Sequence, residues 1–127
     1  MNALTDQDII DIEKSVGLAL PADVRAQYRA SNGLNGPTGC QLLYTYNLYE
    51  STDIVRLNKL REEQWFPPAF QSTVLVGDDG CGNLVGYDWN EKQAVLWNPA
   101  DGEWIQERRS SVTEMWAHIK ELYDRAP

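Results

Sequence analysis

The side chains able to do chemistry at a defined spacing gather in Thr73-Val-Leu-Val-Gly-Asp-Asp-Gly-Cys-Gly-Asn-Leu-Val-Gly-Tyr-Asp88. This stretch holds the carboxylates Asp78, Asp79 and Asp88, the Cys81 thiol, the Asn83 amide and four of the chain's nine glycines. Glycines beside acids invite three readings. A phosphate cradle requires Gly-x-x-x-x-Gly-Lys-Ser/Thr, or Gly-x-Gly-x-x-Gly opening a helix. Here there is no lysine, the chain returns as a strand, and Asp78 and Asp79 stand where phosphate would sit. A calcium loop needs oxygens at alternate positions and a distal Glu, which Asp78, Asp79 and Asn83 do not supply. Asp78 with Asp88 would suit a two-carboxylate hydrolase, but acidic pairs at turns are common without catalysis. The single His118 with Cys40 and Cys81 completes neither a Ser/His/Asp nor a Cys/His arrangement nor a zinc site. No catalytic residue, metal or cofactor is expected, and the two cysteines are expected as free, mostly buried thiols.

The stretch therefore reads as architecture. Val74 to Val76 and Leu84 to Tyr87 favour strands, and Asp79-Gly80 between them is a hairpin signal. A two-residue turn there predicts Leu75 opposite Leu84 and Val74 opposite Val85. Gly77, Gly82 and Gly86 mark bulges or places where another segment passes close. Ala94 to Trp97 and Trp104-Ile105, separated by the turn Asn98 to Gly102, extend the hairpin to a four-stranded antiparallel meander.

Helices must flank that sheet. Thr5 caps a first helix with Ile9, Ile12 and Val16 on one face and Gly17 as its stop. Pro21 opens a second, which buries Val24 and Tyr28, turns Arg25 and Arg29 outward and ends at Asn32-Gly33. Gly33 to Gly39 is a turn or surface loop, and Cys40 to Tyr46 a strand. Ser51 or Thr52 caps a third helix through Leu60, broken at Trp65-Phe66-Pro67-Pro68. Ser111 and Glu114 have capping-box spacing for a last helix whose stripe is Val112, Met115, Trp116, Ile119, Leu122 and Tyr123, with His118 facing solvent. The fold class is α+β: a single domain over residues 1–127, its antiparallel meander flanked by N-terminal and C-terminal helices.

Composition narrows the partners. Nineteen acidic against eleven basic residues give a net charge of -8, which repels nucleic acid and anionic lipid and steers basic proteins inward. An acidic N-terminus and the lack of a membrane-length apolar run point to a cytoplasmic protein.

Leu20-Pro21-x-Asp23, Tyr28, Ser31-Asn32-Gly33 and the later strand-Gly80-Cys81-Gly82-Asn83-strand, ahead of an aromatic strand and an amphipathic terminal helix, together resemble the SUKH superfamily. This group includes the yeast cell-wall synthesis regulator and many bacterial immunity proteins. The resemblance covers nearly the whole chain, departs at Leu34, where many members carry a small residue, and favours the compact bacterial type. It implies a non-enzymatic protein that neutralises a cognate polymorphic toxin such as a nuclease or deaminase, with a regulatory interaction module as the alternative. It also implies that Leu20, Pro21, Asn32, Gly33, Gly80, Gly82 and Asn83 are structural.

A nuclease's cleft is basic because it holds phosphate, so an acidic surface can occupy it. The candidate partner-binding residues are Asp78, Asp79, Asp88, Trp89, Glu91, Asp101, Glu103 and Trp104, on or near the turns where side chains reach outward. The expected partner is a basic protein toxin, with no direct nucleic acid or membrane contact, bound by a monomer or weak homodimer.

Overall fold

The computed structural model describes residues 2–125. Helix α1 (Asp6–Val16) starts as its sequence requires: Thr5 Oγ1 accepts from Asp8 N at 3.1 Å while Asp8 Oδ2 accepts from Thr5 N at 2.9 Å. This reciprocal pair satisfies two of the donors a helix start leaves over. Gly17 ends it at φ 84. Helix α2 (Ala22–Ala30) opens after Pro21 and buries Val24 and Tyr28; Arg29 is exposed and Arg25 half-buried. Strands β1 (Leu34–Asn35) and β2 (Gln41–Leu43) form a small ribbon, shorter than the strand expected from Cys40 to Tyr46. Helix α3 (Ile54–Asn58) is capped by Asp53, whose Oδ2 accepts from Arg56 N at 3.0 Å, and not by Ser51 or Thr52.

The main sheet is the expected four-stranded meander, in the order β3 (Thr73–Asp78), β4 (Leu84–Asp88), β5 (Gln93–Trp97), β6 (Ile105–Arg109). Its hairpin register differs from the expectation. Leu75 lies opposite Gly86 and Val74 opposite Tyr87, with a bulge between Leu75 and Gly77. The connection is residues 79–83 and not a two-residue turn, because Asp79 closes it with its own side chain. Its Oδ1 accepts from Cys81 N (2.8 Å) and Asn83 N (3.1 Å), and its Oδ2 from Asn83 Nδ2 (2.7 Å). The slip at Leu75 is an even number of residues, so each side chain keeps its face. That parity is why the apolar pattern identified the core despite the wrong register.

One face of the sheet, carrying Val74, Val76, Val85, Ala94 and Leu96, packs with α1, α2 and helix α4 (Val112–Arg125). The other face, carrying Leu75 and Trp97, is covered by Leu57 and Phe66, with Phe70 set edge-on to Trp97 at 5.0 Å. Trp97 is a core residue, and so is Trp116, as its place in the α4 stripe predicts. Gly77 shows why the pleat is bare there: a Cβ would lie 2.1 Å from the Leu42 carbonyl oxygen, because β2 passes directly over it. Trp116 Nε1 donates to that same oxygen at 2.7 Å. Gly82 instead serves the loop through its φ of 89. At the other end of the order, β6 is the sheet's edge and presents Glu107, Arg108 and Arg109, with Arg108 N donating to Glu107 Oε1 at 3.2 Å.

Helix α4 departs from expectation at two places. Its stripe stops being core at Ile119, since Leu122 is exposed and Tyr123 only partly covered. His118 does not face solvent but sits against β6, with Nε2 3.4 Å from Glu107 Oε2 and Nδ1 3.1 Å from Arg109 Nη2. A guanidinium can only donate, so Nδ1 is the acceptor and the ring proton points to Glu107.

Candidate functional site

A meander places alternate connections at opposite ends of its sheet, and this divides the candidate residues. Residues 79–83 and the turn between β5 and β6 share one end; the turn between β4 and β5 lies at the other, roughly 14 Å of strand away. Asp78 and Asp88 are therefore at opposite ends, since Asp78 pairs with Leu84 and Asp88 with Thr73. Glycoside-type dyads need their carboxyls within about 10 Å, so this pair cannot flank one bond. Among the described residues no group of three His, Cys, Asp or Glu side chains is placed to hold a metal ion.

At the far end, Asp88 Oδ1 accepts from Asn90 N at 2.9 Å and its Oδ2 lies 3.7 Å from Arg108 Nη1. Trp89 is a fastener more than a free surface: its Nε1 donates to Ala19 O at 2.9 Å and its ring meets Tyr87 edge-on at 4.9 Å. Glu91 is exposed.

At the near end, three elements are tied together. Tyr123 Oη of α4 donates to Asp79 O (2.6 Å) and lies 3.4 Å from Cys81 Sγ; Gln106 Nε2 donates to Asn83 Oδ1 (2.6 Å); Trp97 Nε1 donates to Gly102 O (2.6 Å). Asp78 accepts from Tyr44 Oη at 2.8 Å and from Gly80 N at 2.9 Å. Burial together with that carboxylate pushes the Tyr44 phenol well above its ordinary range. Cys40, buried beneath, has its thiol raised first by burial and then by Asp78 and Asp79. Asp79, expected to reach outward, is only 7% exposed, because its carboxylate is spent on the loop's own amides. Asp101 and Glu103 are exposed, and Trp104 is 61% exposed. Cys81 is exposed, against the expectation of mostly buried thiols.

Two features escaped the sequence reading. A cavity of about 210 Å³ opens at this end between Asp79, Cys81, Ile119, Leu122 and Tyr123. It is formed where the α4 stripe outruns the sheet, and the length of that stripe was the available signal. The other was the contact made by Asp23, a residue named only as part of the Leu-Pro motif: its Oδ2 accepts from Thr113 N (2.8 Å) and Thr113 Oγ1 (3.0 Å), joining the start of α2 to the start of α4.

The motif residues sit in supporting positions. Leu20 and Pro21 are buried at the entry to α2. Asn32 brackets the Tyr46 backbone, accepting from its N at 2.7 Å and donating to its O at 3.3 Å. Gly33, Gly80 and Gly82 take positive φ, and Asn83 is held by Asp79. No curated protein and no solved structure matches the chain. The description SMI1 / KNR4 family (SUKH-1) matches residues 3–125, nearly the whole chain and with it both ends of the sheet. The chain thus belongs to the SMI1 / KNR4 family (SUKH-1).

Proposed function

We propose that the protein is a non-catalytic immunity protein that binds and neutralises a cognate polymorphic toxin with a basic active cleft, of nuclease or deaminase type. The observation that carries this reading is the near end of the sheet, the end that holds Asp78 and the turn with exposed Asp101, Glu103 and Trp104. Family membership supports a protein-binding role, and the net charge of -8 favours a cationic partner over nucleic acid or anionic membrane. A nanomolar complex needs about -12 kcal/mol, which a few buried anchors dominate, while surrounding charge sets fast, salt-sensitive association. Asp88, Trp89 and Glu91 lie at the opposite end of the sheet, roughly 14 Å of strand away, and the proposed contact is centred on the near end.

The test is co-expression with the product of the adjacent upstream gene. Growth rescue with a co-purifying complex is the expected result. A neighbour that is not toxic and does not co-purify would overturn the reading in favour of a regulatory interaction module.

A further inference from the structure

The cavity beside Tyr123 is apolar where the surface around it is charged. Its walls are Ile119, Leu122, Tyr123, Cys81 and Asp79, whose carboxylate is taken up by the loop's own donors, and its volume of about 210 Å³ exceeds that of any one aliphatic side chain. Leu122 lies half open at its lip although it continues the core stripe of α4. An exposed apolar hollow is worth covering, since each buried CH2 returns about 0.8 kcal/mol. Next in the chain to its lining residues stand Asp78, Glu121 and Asp124, answered by Arg125, which is itself paired with Glu121, and exposed Asp101 and Glu103 lie in the turn at the same end of the sheet. The carbonyl end of α4 adds its partial negative charge at the same place. The larger groove between α2 and α4 has no such bias, because Lys120 offsets Asp23 and Asp23 is already bonded to Thr113.

We infer that this cavity is the anchor pocket of the protein interface, and that it receives one aliphatic or aromatic side chain from a partner segment flanked by Lys or Arg. The inference rests on the protein-binding reading above and specifies its contact. A second copy of this chain is a poor occupant, since it would set the same carboxylates against each other. The apolar anchor fixes the dissociation rate, and the acidic residues at this end, with Trp104, fix orientation and the association rate.

The test uses the full chain and the partner recovered by co-expression. Leu122→Ser should weaken binding about tenfold or more, chiefly through faster dissociation and with the salt dependence unchanged. Alkylation of Cys81 in the folded protein should block binding to a similar degree, and it needs no variant to fold. Asp101→Lys with Glu103→Lys should slow association at low salt, whereas Glu91→Lys at the far end should leave the rate within about twofold. If Leu122→Ser and the Cys81-alkylated protein both bind as the parent does, or if Glu91→Lys slows association as much as the near-end pair, the pocket is not the anchor. Such a result would leave immunity intact, because growth rescue by the parent chain is read separately. Self-association lost on Cys81 alkylation, with partner binding retained, would also overturn the inference.

Discussion

Asn58 does for β3 what a neighbouring strand would do. Leu75 N donates to its Oδ1 at 2.9 Å, and its Nδ2 donates to Leu75 O at 2.8 Å and to Ile54 O at 3.0 Å. Removing the amide orphans a buried backbone donor and a buried acceptor in the central sheet, at about 1–3 kcal/mol each. A total of roughly 2–6 kcal/mol is a large part of the 5–15 kcal/mol typical of a domain. Two substitutions separate hydrogen bonding from packing. An open hollow of about 190 Å³ borders Asn58 on its Arg61 side. Asn58→Ala therefore lets water reach the orphaned groups and should fall near 2 kcal/mol, while Asn58→Leu fills the space with carbon and should cost about 4 kcal/mol or more. Urea unfolding measures this as a fall in midpoint with an unchanged slope. If Asn58→Leu proves as stable as Asn58→Ala, or if both lose less than about 1 kcal/mol, the amide is not the missing strand partner.

Gly77→Ala should cost about 3 kcal/mol or more in the same assay, because its Cβ would meet backbone atoms of Leu42 at 2.1 Å, which cannot rotate away. In the native protein a thiol reagent should modify exposed Cys81 promptly and buried Cys40 only on unfolding; simultaneous modification of both would contradict the packing around Gly36. Tyr28 and Tyr44 are held above the ordinary tyrosine range, Tyr28 by burial and the Asp53 charge and Tyr44 by burial and Asp78. Their folded pKa exceeds the unfolded value of about 10, so the stability they contribute is present below pH 10 and is lost as pH rises beyond it. Tyrosinate absorbance from these two should appear together with unfolding, and its appearance in a still-folded protein would refute the assignment.

Local rules carried much of the fold. Thr5, Gly17 and Pro21 act within one turn of where they stand, so both limits of α1 and the start of α2 were readable, though α2 ends at Ala30, ahead of the expected Asn32-Gly33; apolar runs separated by turn signals ordered β3 to β6. What escaped depended on side chains choosing among backbone donors. Asp79-Gly80 has the composition of a tight turn, yet Asp79 reaches Asn83 and lengthens it. Asp53 outcompetes Ser51 and Thr52 as a cap because the same carboxylate also accepts from Asn47 N at 2.9 Å. Gly77 was legible as a close approach, but not that β2 makes it, since that crossing joins residues far apart in sequence. The near-end site was half legible: its charged turns were visible, while the pocket depends on how far α4 overshoots the sheet.

The charged edge of β6 has a consequence for how recognition can change. A partner that joined by extending the sheet would read main-chain groups, which no substitution can rewrite. Glu107, Arg108 and Arg109 guard that route, as charged edge strands generally do. On the function proposed above, contact falls to loop side chains such as Asp101, Glu103 and Trp104, which are exposed and form no part of the core. On that reading, a scaffold arranged in this way can be retargeted one residue at a time, following a changed partner while its folding instructions stay untouched.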